Sequence, residues 1–128
     1  MRACAVLGVS DVMFCGLPDQ RLDSLPLLDV ITPIEKCVGE FRPDLVFTPF
    51  KEDANQDHRI AFQATLVATR PMPDTSVATV LCYETASSTE WAPPFAGSVF
   101  CARNWNGSAP ACARNVPNRG IGSNRFTM

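Results

Sequence analysis

The chain holds one histidine, His58, and one tyrosine, Tyr83, in 128 residues. A catalytic zinc takes about three protein ligands, so a lone histidine cannot build such a site unaided. Six cysteines are scattered at Cys4, Cys15, Cys37, Cys82, Cys101 and Cys112, with no CxxC pair, which excludes a zinc ribbon or a thioredoxin-like motif. No GxGxxG loop and no GxxxxGKS or GxxxxGKT loop occurs, which counts against a nucleotide-binding Rossmann domain. No GxSxG elbow occurs either, so Ser88 is not a triad nucleophile candidate. No apolar run approaches the roughly 18 residues of a membrane span. The start, Met1 to Gly8, has a short apolar run without a clear cleavage site and makes a poor signal peptide.

What is present is the balance of a soluble globular protein, 46% hydrophobic and 19% charged residues. The length suits one domain with one core. Most cysteines lie among apolar neighbours, as Cys82 does in Val80-Leu81-Cys82-Tyr83, and read as buried free thiols in a reducing, cytoplasmic compartment. The net charge of −2 hides an asymmetry: residues 101–128 carry four arginines and no acid (+4), leaving −6 for residues 1–100. Four arginines spread among Asn, Gly, Ser and Pro, without interleaved aromatics, read as a solvated tail rather than a nucleic-acid surface.

Periodicity predicts an α/β order. Residues 1–8 read as the end of a helix capped by Gly8. Val12-Met13-Phe14-Cys15 reads as a buried strand running into the Gly16–Asp19 loop. Leu27, Leu28, Ile31, Ile34 and Val38 recur at helical spacing. Thr32-Pro33-Ile34-Glu35 looks like a helix start, so a kinked or restarted helix is expected over 25–40. A second strand follows at Leu45–Thr48 and a helix at Ile60–Ala68, which Pro71 and Pro73 end. The clearest strand is Val77–Tyr83. Alternating strands and helices imply parallel βαβ units in a doubly wound sheet. After Phe100 the composition turns to Asn, Gly, Pro and Arg without periodicity, so 1–100 is expected as the domain and 101–128 as an irregular, disordered tail.

In an open parallel sheet, reactive groups gather beyond the carboxyl ends of the strands. Asp53-Ala54-Asn55-Gln56-Asp57-His58-Arg59 follows the Leu45–Phe47 strand and lies at that edge. Two readings stand. His58 ligates a metal, with Asp57 or Asp53 orienting it; or Asp53 or Asn55 caps the helix and His58 is an exposed first-turn residue. Spacing alone favours the second.

Several segments in order change that balance. Gly16-Leu17-Pro18-Asp19, Arg42-Pro43-Asp44-Leu45-Val46-Phe47-Thr48-Pro49 and Asp53-Ala54-Asn55-Gln56-Asp57-His58-Arg59 together resemble the LmbE/PIG-L family of zinc-dependent N-deacetylases. Ala68-Thr69-Arg70-Pro71, Tyr83-Glu84 and Ser87-Ser88-Thr89-Glu90-Trp91 extend the resemblance over roughly residues 3–95, and any one segment alone would be weak. The resemblance implies a Rossmann-like fold and hydrolysis of the acetamide of an N-acetylglucosamine-type sugar conjugate. By it, His58 matches a zinc-binding histidine, and Asp57 is its motif neighbour and partner. Asn55 stands where many members have a histidine that assists the transition state. Asn55 and Asp57 are thus the candidate catalytic positions, and Asp19 matches a pocket carboxylate facing sugar hydroxyls. Arg70 is expected to close its helix rather than reach the site, and Ser87–Trp91 has the composition of a substrate-facing loop.

The family's remaining ligands and its general-base aspartate come from an Ala-His-Pro-Asp-Asp-Glu loop, a motif this sequence does not contain. Met1 aligns with the interior of a helix that follows that loop. The expectation is therefore a fragment, from a late start codon and a shifted reading frame near residue 100. Such a fragment is not a competent deacetylase, since zinc activation of water and carboxylate proton shuttling both need the missing groups. A non-catalytic sugar-binding or interaction module of the same fold is the alternative. Unpaired strand edges predict poor solubility or homo-oligomerisation.

Overall fold

The computed structural model describes residues 2–91, 102–104 and 125–127. Helix α1 spans Arg2–Leu7 and stops at Gly8, whose φ of +68° glycine adopts without steric cost. The Val9 N–H then closes back on the Cys4 carbonyl at 2.9 Å, the long bond of a Schellman cap. The strand expected at Val12–Cys15 is absent. The segment has no regular structure, and Val12, Met13 and Phe14 are 47%, 39% and 86% exposed. An apolar run becomes a strand only where a ladder partner takes its backbone groups, and this run pairs with none of the four strands described below.

Helix α2 runs unbroken over Leu27–Phe41, so the expected restart at Pro33 does not occur. Pro26 occupies the N-cap position, and the Thr32 hydroxyl, instead of capping, donates to the Leu28 carbonyl at 2.8 Å. A proline inside a helix costs about 3 kcal/mol. Burial of Val30, Ile31, Ile34, Cys37 and Val38 along one stripe outweighs it at about 1.5–3 kcal/mol per large apolar side chain. The stripe is shifted from the expected one, since Leu27 and Leu28 face solvent. Arg42 ends the helix in the left-handed region at φ +45°, its N–H on the Val38 carbonyl.

Strand β1 (Leu45–Pro49), helix α3 (Gln56–Ala68) and strand β2 (Thr79–Tyr83) form one βαβ unit. The strands are parallel, in a register that sets Leu45 beside Thr79 and Pro49 beside Tyr83. Two short segments, β3 (Ala102–Asn104) and β4 (Arg125–Thr127), complete a sheet in the order β3-β2-β1-β4, with β3 antiparallel to β2 and β4 parallel to β1. The rest of the stretch read as a tail, 101 and 105–124 with 128, lies outside the described residues. The architecture is α/β.

The core joins Val30, Ile31, Ile34 and Val38 of α2 to Val46 of β1, Ile60 and Ala64 of α3, and Val77 and Val80. Beside it runs a buried hydroxyl chain. Thr48 of β1 donates to Thr65 of α3 at 3.2 Å, Thr65 donates to the Ala61 carbonyl, and Thr69 donates to the Thr65 carbonyl. Each hydroxyl hydrogen has an acceptor, which offsets the desolvation of burying it. Cys37 and Cys82 are buried as expected, whereas Cys4 is half-buried and Cys15 exposed. Cys101 and Cys112 lie outside the described residues. No helix among the described residues is long and apolar enough to cross a membrane.

Candidate active site

Because β1 and β2 are parallel neighbours, the segments leaving their carboxyl ends emerge side by side. One carries Asp53 and the start of α3; the other carries the turn Thr85–Trp91. Asn55 caps α3: its Oδ1 accepts the Asp57 N–H at 2.9 Å. His58 therefore sits in the first turn, as the sequence implied.

Asp53 is fully buried between the two segments. Its Oδ1 accepts the Asn55 N–H at 2.8 Å, and its Oδ2 accepts the Thr89 hydroxyl at 2.6 Å. The same Oδ2 lies 3.2 Å from His58 Nδ1, and Ser88 Oγ lies 3.4 Å from that nitrogen. Burial alone would raise the Asp53 carboxyl. Hydrogen bonds from Thr89, the Asn55 N–H, Ser88 and His58 outweigh it and hold the group below its ordinary value. Half-buried Tyr83, at the end of β2, has its phenol pushed up by burial and then by the Asp53 charge.

The site residues named from the sequence separate in space. His58 is within the cluster. Asp57 is not its partner: Asp57 Oδ1 accepts the Leu22 N–H at 3.1 Å and ties the turn Leu22–Ser24 to α3. Asp53, the other carboxylate considered, takes that place. Asn55 spends its oxygen on the helix cap. Asp19 is exposed in a turn ahead of Gln20, which is left-handed at φ +56°. Arg70 closes α3 as expected, donating to the Val67 carbonyl at 2.8 Å and to Glu35 Oε1 at 2.7 Å. Sequence reasoning missed the roles of Ser88 and Thr89. Their one signal was the hydroxyl-rich run after the clearest strand. Ser88 and Asp53 meet the same ring nitrogen, whereas a nucleophilic triad uses opposite ones.

The family model described as PIG-L: GlcNAc-PI de-N-acetylase matches residues 1–69, more than half of the chain and inclusive of Asp53 and His58. The chain belongs to the PIG-L family. No curated protein and no solved structure matches it. A PIG-L chain raises the question of zinc, the metal that this family suggests in general. Among the described residues no group of three or more His, Cys, Asp or Glu side chains is placed to hold a metal ion. The only imidazole, with Nδ1 beside Asp53, could offer Nε2 alone, and one donor does not make a zinc site, so the described residues do not fit the metal by themselves. The chemistry legible in this PIG-L chain is that of one oriented imidazole anchored on a buried carboxylate.

Proposed function

We propose that this chain carries part of the catalytic apparatus of a PIG-L-type N-deacetylase acting on an N-acetylglucosamine-type sugar conjugate. The observation that carries the reading is the anchoring of His58 by buried Asp53 at the carboxyl edge of β1 and β2, inside the span matched by the family. Asp53 accepts from Nδ1 and so turns Nε2 outward, where it can meet a metal or a substrate proton. The α3 N-terminus adds positive potential where charge develops on an acetamide oxygen. Asn55 supplies no protonatable ring, and its remaining amide N–H groups can only donate. Asp19 is the candidate contact for sugar hydroxyls, and a reducing, cytoplasmic setting is in keeping with Cys4, Cys15 and Cys37, which stand outside any disulfide.

Amide hydrolysis needs a polarised carbonyl, an activated water and a carboxylate to move the proton. The residues in hand supply one imidazole toward that set, so the 128-residue chain alone is proposed to be inactive. Three measurements test both halves of the reading. Purified chain is assayed for bound zinc and for acetate released from an N-acetylglucosamine conjugate, beside His58→Gln. The expected result is substoichiometric zinc and no acetate. Stoichiometric zinc with acetate release that His58→Gln abolishes would overturn the proposed inactivity. Failure of the chain to bind the conjugate, in titrations compared with Asp19→Asn, would remove the sugar assignment.

A further inference from the structure

Thr89 makes two hydrogen bonds that together leave its hydroxyl no freedom. Its Oγ1 accepts the Thr85 N–H at 2.8 Å, closing the turn in which the Ser88 and Thr89 N–H groups both donate to the Thr85 carbonyl. A hydroxyl has one hydrogen to give. Here it goes to Asp53 Oδ2 at 2.6 Å, the range of charge-assisted O–H···O bonds. An ionised carboxylate only accepts, so every group around Asp53 must donate: the Asn55 N–H, the Thr89 hydroxyl, and His58 Nδ1 at 3.2 Å. Ser88 Oγ lies 3.4 Å from Nδ1, where a hydroxyl oxygen can accept the ring hydrogen. The proton of the neutral ring is thereby assigned to Nδ1, and Nε2 keeps its lone pair.

We propose that Thr89 is a positioning residue: it fixes the Asp53 carboxylate and through it holds His58 in the Nδ1–H tautomer, so that the turn after β2 governs the imidazole borne on the segment after β1. The Thr89 hydroxyl reaches the ring through Asp53. It acts by preventing Asp53 Oδ2 from rotating away from Nδ1, a rotation that the single Asn55 N–H on Oδ1 would not stop. The inference rests on His58 as the reactive imidazole of the site proposed above, but the tautomer is measured without any activity. A failure in zinc or acetate assays therefore leaves this test intact, and the reverse also holds.

The chain's single histidine gives one set of imidazole signals in a histidine-labelled sample, read by nitrogen NMR at about pH 8.5, roughly two units above the ordinary histidine value. Wild type should show Nδ1 protonated and Nε2 bare. Thr89→Val, which keeps the shape and removes the hydroxyl, should move the ratio at least about fivefold toward Nε2–H, the scale of one net hydrogen bond near 1 kcal/mol. Thr89→Ser should restore the wild-type spectrum. A structural role alone would lower the melting temperature and leave the tautomer unchanged, and that result would overturn the proposal. So would Nε2–H as the dominant form in wild type, a result obtained even where Thr89→Val does not fold.

Discussion

Replacing Asp53 with alanine removes the acceptor of several donors at once. The Asn55 N–H (2.8 Å), the Thr89 hydroxyl (2.6 Å) and His58 Nδ1 (3.2 Å) all converge on it. A buried donor stripped of its partner costs about 1–3 kcal/mol. The His58 side chain is 27% exposed and can turn to water, so its share is small. Asn55 and Thr89 are half-buried and belong in the lower half of that range. Together they predict a loss of about 2–4 kcal/mol, a large part of a typical domain stability of about 5–15 kcal/mol. Asp53→Asn keeps one acceptor oxygen and should lose about half as much. Urea unfolding followed by circular dichroism, with unchanged slope, reads both values. The pH dependence adds a second handle. The Asp53 carboxyl titrates lower in the folded chain than at its unfolded value of about 3.9, so the unfolded state binds that proton more readily. The stabilisation is complete above about pH 5 and is lost as pH falls through the folded-state value. The gap between wild type and Asp53→Asn should accordingly narrow on acidification. A gap below about 1 kcal/mol for Asp53→Ala at pH 7, or one that stays constant into acid, would refute the reasoning.

Three further outcomes are expected. Thr65→Val strands the Thr48 hydroxyl in the buried chain and should cost about 1–2 kcal/mol, while the double variant with Thr48→Val recovers much of it; a double-mutant cycle with no coupling would contradict the bond. Pro33→Ala restores an amide hydrogen inside α2 and should stabilise the chain by about 1–3 kcal/mol, seen as a raised urea midpoint; a lowered midpoint would mean that the proline ring packs in a way the helix needs. Glu35→Gln breaks a partly exposed pair with Arg70, whose side chains are 40% and 49% exposed, and should shift stability by less than about 1 kcal/mol in thermal melts, with the effect shrinking in salt.

Legibility in the sequence followed the physics of each segment. β1, β2 and α3 were readable because continuous apolar runs bounded by Pro, Asp and Asn leave few other solutions, although β2 begins at Thr79 rather than Val77. That delay has a local cause: the Ala78 and Thr79 N–H groups both turn to the Asp44 carbonyl. Val12–Cys15 carried the same apolar signal without a partner strand, and composition does not reveal pairing. Thr32-Pro33 matched a helix start, yet the buried stripe crosses it from Val30 to Val38. At the site, His58 and its place after β1 were legible. The choice between Asp53 and Asp57 was not, because it depends on contacts 35 and 36 residues away, at Leu22 and Thr89.

The pairing of β1 with β2 has a consequence for inheritance. His58, Asp53, Ser88 and Thr89 all belong to one βαβ unit and its trailing turn, residues 45–91. A rearrangement that moves this block carries all four side chains together, provided that the packing on α2 and the Leu22–Asp57 tie are remade. Insertions or exchanges elsewhere in the chain can reshape the surroundings while the imidazole and its anchor are passed on as a single cassette.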